Sequence, residues 1–267
     1  MSDISFSEAR TAKVKEIFAK AGAIITGSHF VYAKKPDGWY HGSDYVNKDA
    51  IYLFTDLVSE LCQEISRYFW ESKIEAVVGP AIGGVALSQW TAHCLGHVMR
   101  HDILAVFADE EDVLEETFIG LASGTEFNAF GKVKIFSIDG DVANIVFFEK
   151  TRTRRVIKRG YDKHVKGKKC LIVEDVISSG ATVVKTIVAI HQAGGEVVGV
   201  GCLCNRSGGK VTAKTLGVPE LFSLLDSDMQ MYPEADCPIC REKGPESVRT
   251  DLGKGKEFLS RIRLACV

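Results

Sequence analysis

The sequence has no apolar run approaching the roughly 18 residues that a membrane-spanning helix needs, which excludes a bundle of membrane helices. It also lacks a strong charge of either sign. Its 33 Lys and Arg and 35 Asp and Glu leave a formal net charge of -2, without the basic excess of a chain built to coat nucleic acid. Nucleic acid is therefore not an expected partner. There is no internal repeat and no low-complexity tract. The opening stretch, "MSDISFSEARTAKVKEIFAKAG", is polar and helical rather than signal-like, so we expect a soluble, cytoplasmic protein. Cysteine, by contrast, is plentiful, at positions 62, 94, 170, 202, 204, 237, 240 and 266. In a long chain without a secretory signal, reduced thiols or a metal site are expected before disulfides.

What is present suffices for a full core. The 267 residues suit one large domain, and 46% of them are hydrophobic. Ala9, Val14, Ile17, Phe18 and Ala21 recur at helical spacing, and Gly22 is placed to end that helix. An irregular, partly stranded stretch follows. From Asp49 to Trp70 the apolar spacing is helical again. Beyond it the rhythm alternates: "EAVVGP", "DILAVFA", "KKCLIVE", "GEVVGVGCLC" and "ELFSLLD" read as strands, with "GGVALSQWTAHCLG" and "ATVVKTIVAIHQAG" as helices. Short Val/Ile/Leu runs separated by helices predict an α/β fold, a mostly parallel sheet with helices on both faces.

One region interrupts this alternation. The acidic run Asp109 to Glu116 reads as a solvated helix face. "KVKIFSI" and "DVANIVFF" flank Asp139-Gly140, a dipeptide that favours a tight hairpin. "EKTRTRRVIKRGYDKHVKGKK" is strongly basic.

The stretch "CLIVEDVISSGAT" carries the chemistry. In a parallel α/β sheet, ligands bind beyond the carboxyl ends of the strands, and "CLIV" ends at Glu174 and Asp175. The turn that follows offers backbone N–H groups, hydroxyls and a helix N-terminus, which together make an anion site suited to phosphate. Two carboxylates would repel that phosphate. They suit sugar hydroxyls, with Mg²⁺ nearby. Acids facing hydroxyls and amides facing phosphate describe a ribose 5-phosphate.

Residues 171–182 resemble the diphosphate-sugar signature of the type I phosphoribosyltransferases. "GAIITGSHF", "YVNKDAIY", "VVGPAIGGVALS" and "CLCNR" resemble the orotate branch of that family. The resemblance implies one domain over 1–267, with a core at 49–227, a hood from 22–48 and 228–267, and an insertion at about 109–160. It implies that Glu174 and Asp175 bind the ribosyl hydroxyls of 5-phosphoribosyl 1-diphosphate. Val176, Ile177, Ser178, Ser179, Gly180, Ala181 and Thr182 would complete the phosphate loop. Ala81, Ile82, Gly83 and Gly84 would form a pyrophosphate loop, with a cis peptide near Ala81-Ile82; some members carry a lysine where Gly83 stands. The basic segment would be a mobile loop closing on the diphosphate, with Lys150 and Arg155 acting in catalysis beside Asp175, and Arg152, Arg154, Lys158 and Arg159 in support.

On the base side, the resemblance assigns Lys34 or Lys35 to the hood lysine, Tyr45 to the hood aromatic and Arg206 to the base carboxylate. The implied reaction is transfer of the phosphoribosyl group to orotate, with Mg²⁺ carried mainly by the diphosphate and a homodimer as the assembly. Two other readings stay open: a purine or uracil substrate, or a non-catalytic nucleotide sensor binding RNA through residues 150–169. "CPIC" (237–240) has a chelating spacing but supplies only two of the four ligands a structural zinc takes. Cys202 and Cys204 are candidates to complete the set. The seven histidines show no ligand spacing, and no catalytic metal ligand is assigned to the protein.

Overall fold

The computed structural model describes residues 3–32, 38–122, 132–139 and 142–265, with side chains over 9–32, 38–113 and 153–263. In chain order, α1 (Asp3–Lys20) precedes four short strands, β1 (Ile24–Ile25), β2 (Phe30–Val31), β3 (Tyr40–Gly42) and β4 (Tyr45–Val46). Next come α2 (Lys48–Tyr52), α3 (Thr55–Phe69), β5 (Ala76–Pro80), α4 (Gly83–Met99) and β6 (Leu104–Ala122). The strands β7 (Lys132–Asp139) and β8 (Val142–Val156) lead to α5 (Tyr161–Val165), β9 (Lys169–Ile177), α6 (Ala181–Gln192) and β10 (Glu196–Asn205). The chain closes through α7 (Ala213–Leu216), β11 (Leu221–Asp226), β12 (Tyr232–Pro233), α8 (Pro238–Lys243) and α9 (Gly255–Ala265).

The main sheet has seven strands in the order β11-β10-β9-β5-β6-β8-β7. The run from β11 to β6 is parallel, as the alternating pattern predicts. Both faces are covered, which is why the strands are apolar without a break. Leu171 and Val173 of β9 pack with α3 and α4 residues in one cluster, while Cys170 and Ile172 pack with α6 residues in another. On α3, Leu57, Val58, Leu61, Ile65 and Phe69 are buried at helical spacing, each contributing roughly 1.5–3 kcal/mol of transfer free energy at most. None of the described helices is long and apolar enough to cross a membrane.

Three sequence expectations need correction. The helix predicted over 49–70 is broken at Leu53 and Phe54. Phe54 is extended, and Thr55 and Asp56 start a second helix. Periodicity alone does not register a break that keeps the apolar residues in phase.

The acidic run is not a helix face, and the basic segment is not a free loop. Both are strand. β6 continues past the sheet and pairs antiparallel with β8, setting Glu110 opposite Arg155 and Glu111 opposite Arg154. The two charge runs neutralise each other across this ribbon. Arg154 and Lys158 each reach Glu111 at 2.6 Å, and Arg159 reaches Asp109 at 3.3 Å. Opposite charges facing across an antiparallel pair favour that pairing, and a single-strand reading cannot see the partner. β7 and β8 form the hairpin predicted around Asp139-Gly140, with Asp139 opposite Val142; residues 140 and 141 of its turn lie outside the described residues.

The cysteines also differ from expectation. Cys202 and Cys204 are buried in the two apolar clusters. The partners of Cys237 and Cys240 are His29 and His41 instead.

Candidate functional site

The topology reverses between β5 and β9. From β5 the chain steps to β6 on one side, and from β9 it steps to β10 and β11 on the other. Such a switch point opens a crevice at the carboxyl ends of the two strands. The loops there are 81–84 after β5 and 178–180 after β9, the two stretches singled out by their glycines and hydroxyls.

Glu174 and Asp175 lie near the end of β9, followed in the strand by Val176 and Ile177, and are 6% and 5% exposed. The Asp175 backbone N–H donates to Glu174 Oε1 at 3.1 Å, and the Val176 N–H donates to Asp175 Oδ1 at 2.6 Å. Lys48, at the start of α2, donates to Asp175 Oδ2 at 2.6 Å. Burial raises the Glu174 carboxyl well above the usual carboxylate range, and the neighbouring Asp175 charge adds to the shift. For Lys48, burial opposes the charged form, but the attraction of Asp175, with smaller contributions from Asp49 and Glu174, leaves its pKa raised. One lysine thus faces two adjacent acids.

Gly83 fits this arrangement because of space. A Cβ there would fall 1.8 Å from Asp175 Oδ2 and 3.0 Å from Lys48 Nζ. The 81–84 loop therefore lies directly against the acid pair. The loop itself carries no lysine at Gly83, and the ammonium of Lys48 comes close to it from another element. Lys48 lies within "YVNKDAIY", where a lone lysine before a helix carries no signal without the fold. Tyr52, one turn on, donates to the Gly83 carbonyl at 2.7 Å. The loop's Ala81-Ile82 peptide is cis, at the position the family resemblance implied.

The ribbon braces the 81–84 loop and helix α6. Arg155, 8% exposed, donates through Nη1 to the Ala81 carbonyl at 2.7 Å and lies 3.4 Å from Glu110. Lys185 of α6 donates to Thr153 Oγ1 at 2.7 Å. Lys150 lies on β8 opposite Leu114, among the residues whose side chains are not described. Ser178 and Ser179 form the bend before α6, with Ser179 Oγ accepting from the Ala181 N–H at 3.4 Å. They line a concavity together with Ser207 and Lys210.

Arg206 directly follows β10, its N–H bonded to the Ile177 carbonyl at 2.9 Å. Its guanidinium stands 5.3 Å from the Tyr32 ring centroid, and its buried Nε has no hydrogen-bond partner. Burial pushes the Tyr32 hydroxyl up to about 12, with Arg206 acting in the other direction. Tyr45 stacks on Phe30 at 5.1 Å. The aromatic against Arg206 is thus Tyr32, which the sequence analysis did not single out. Lys34 and Lys35 lie outside the described residues.

A parallel α/β sheet with an acid pair and a hydroxyl-bearing turn at its switch point has the chemistry suited to a phosphorylated sugar. Residues 48–215 match the model of the phosphoribosyl transferase domain, and the chain belongs to that family. The orotate phosphoribosyltransferase of Thermotoga maritima is 30% identical over 233 residues, covering 87% of this chain and 94% of its own length. That of Caldanaerobacter subterraneus subsp. tengcongensis is 28% identical over 233 residues, with 87% and 93% covered. A solved structure of the Mycobacterium tuberculosis orotate phosphoribosyltransferase covers 81% of this chain and 96% of its own, at a TM-score of 0.49 and 16% identity.

Proposed function

We propose that this chain transfers the 5-phosphoribosyl group of 5-phosphoribosyl 1-diphosphate to orotate, releasing pyrophosphate and orotidine 5-monophosphate. The observation that carries the reading is the convergence of Glu174, Asp175 and the 178–182 turn with the glycine loop 81–84 at one switch point. The choice of base rests on the names of the relatives and on Arg206, whose buried, unpartnered Nε beside Tyr32 suits a carboxylate.

A ring nitrogen of the base forms a bond to C1 of the ribose as the C1–oxygen bond to diphosphate breaks, and that electron pair leaves with the diphosphate. The protein's share is positioning and charge, which such a displacement chiefly needs. Glu174 and Asp175 take the 2- and 3-hydroxyls, releasing Lys48 toward the diphosphate side. The hydroxyls and amides of 178–182 hold the 5-phosphate. Backbone amides of 81–84 line the diphosphate, with Arg155 fixing the loop from behind rather than touching substrate.

Mg²⁺ fits as a substrate-borne ion. Both Asp175 oxygens and Glu174 Oε1 already accept hydrogen bonds, so the pair offers no cage. Brought in mainly by the diphosphate substrate, Mg²⁺ would supply neutralisation of the leaving group. A homodimer is proposed on the family resemblance and is read by light scattering.

The test is pyrophosphate release from the donor with Mg²⁺, screened over orotate, uracil, adenine, hypoxanthine and xanthine. Orotate alone should support turnover, and Arg206→Ala should abolish it, because a buried carboxylate then loses its partner. Turnover with a different base would overturn the choice of orotate. Silence with every base would overturn the enzyme.

A further inference from the structure

Far from the acid pair, four side chains from the two ends of the chain converge. His29 precedes β2, His41 lies on β3, and Cys237 and Cys240 flank the start of α8. Their ligand atoms all lie within 4.8 Å of one another. His29 Nε2 is 3.0 Å from His41 Nδ1 and 3.6 Å from each sulfur, and Cys240 Sγ is 3.3 Å from His41 Nδ1. A tetrahedral shell with zinc–nitrogen bonds of about 2.0–2.1 Å and zinc–sulfur bonds of about 2.3 Å has edges of roughly 3.3–3.8 Å. These four edges match to within a few tenths of an ångström, and the remaining two, from Cys237 Sγ to His41 and to Cys240 Sγ, lie within 4.8 Å.

Proton bookkeeping makes the case stronger than distance does. The Ser247 hydroxyl donates to the Gly244 carbonyl at 2.6 Å, so its oxygen must accept from His29 Nδ1, 2.7 Å away. His29 therefore carries its proton on Nδ1 and presents a bare Nε2. On the other ring, His41 Nε2 lies 3.4 Å from Glu234 Oε2, a carboxylate held by the fork of Arg261 at 3.1 and 2.5 Å. No hydrogen bond closes that gap, yet a bare Nε2 would set its lone pair against the carboxylate, so the proton is placed on Nε2, which leaves His41 Nδ1 bare as well. Two nitrogen lone pairs then face each other at 3.0 Å in a site where His29, His41 and Cys237 are 2%, 0% and 1% exposed. Without a cation between them that contact is repulsive.

We propose that His29, His41, Cys237 and Cys240 form a structural zinc site joining the N-terminal and C-terminal segments of the chain. Two thiolates and two imidazoles at tetrahedral spacing select zinc among the common divalent ions. All four positions come from protein, so no place is left for a reacting water. Ser247 holds the His29 ring by a hydrogen bond and Glu234 faces His41 Nε2 at 3.4 Å, the places that outer partners take in such sites. The Cys240 N–H supports Cys237 Sγ at 3.4 Å.

The surrounding architecture shows why an ion is needed there. The segments meet through strands of two or three residues, β2, β3 and β12. Their buried apolar cluster consists of Val31, Val248 and Phe258. A unit with so small a core calls for a cross-link. The same segment carries Tyr32 against Arg206, so the ion also steadies one wall of the crevice.

The experiment uses the full chain, and its readout is independent of activity. Purified protein should contain one zinc per chain. Stripped with a chelator and loaded with Co²⁺, it should show strong tetrahedral d–d bands and a thiolate-to-cobalt charge-transfer band. Cys240→Ser should lose about half of that charge-transfer intensity, since one of two thiolates goes. Glu234→Gln leaves all four ligands in place and should bind zinc about 10–100-fold more weakly in competition with a chromophoric chelator. A weak octahedral cobalt spectrum would overturn the proposal. So would an intact mass two hydrogens light, which marks a Cys237–Cys240 disulfide, or unchanged zinc affinity in both variants.

Discussion

Lys48 Nζ sits 2.6 Å from Asp175 Oδ2, joining the first residue of α2 to the end of β9 across a sequence separation of 127 residues. The contact compensates a buried acid pair that the donor sugar is proposed to engage. Lys48→Ala removes a charge-assisted bond worth about 1.5–3 kcal/mol. We expect roughly a 10–100-fold drop in kcat/KM for the donor, with KM for the base little changed. Losing the cation also makes Glu174 harder to ionise, since Lys48 lowers its pKa, so the acid limb of the pH–rate profile should move to higher pH. Steady-state kinetics over pH 5–9 reads both effects.

Glu174 gives a pH dependence of stability. Its folded-state pKa is raised by burial and by Asp175, so the folded protein holds this proton more tightly than the unfolded chain. The stabilisation is complete below about pH 4.5, the ordinary glutamate value, and is lost as pH climbs through the raised folded-state value. Glu174→Gln removes the ionisable group. Its melting temperature relative to the parent chain should therefore rise between pH 5 and pH 9; a constant difference over that range would contradict the assignment.

Two glycines close together should fail in different ways. At Gly83 an added methyl meets the Asp175 carboxylate at 1.8 Å. Gly83→Ala should displace that side chain and weaken donor binding at least tenfold, with a small change in thermal stability. At Gly79 the methyl meets backbone, the Gly84 carbonyl oxygen at 1.9 Å. Gly79→Ala should destabilise the fold by about 1–3 kcal/mol or more, as overpacking does. Calorimetry and donor titration on the two variants separate the cases.

Arg155 is predicted to act through the 81–84 loop. Arg155→Met keeps most of the buried stem but leaves the Ala81 carbonyl without its donor at 2.7 Å. A loss of about 1.5–3 kcal/mol in stability is expected, together with a raised KM for the donor. Arg155→Lys should restore only part of it, because one ammonium cannot serve Ala81 and Glu110 as the guanidinium fork does.

The legible parts of the fold were those with a local cause. "CLIV" and "AVVGP" had to be buried strands, since each is apolar on both sides of its pleat. "EDVISSGAT" had to end one of them beside a helix N-terminus. The ribbon was misread because each of its charged strands looks solvated until the other is laid against it, Glu111 beside Arg154. Tyr32 was passed over because its partner Arg206 arrives from a strand 174 positions later in the chain.

The sequence by itself determined the layered α/β order and the placement of acids and hydroxyls after a buried strand, because backbone periodicity and strand-end chemistry act over neighbouring residues. Only the tertiary structure decided that Lys48 would face Asp175, that Arg155 would brace Ala81, and that two histidines near one end would meet two cysteines near the other. Those pairings depend on which strands lie side by side, and that choice follows from burying both faces of the whole sheet at once rather than from any single stretch of the chain.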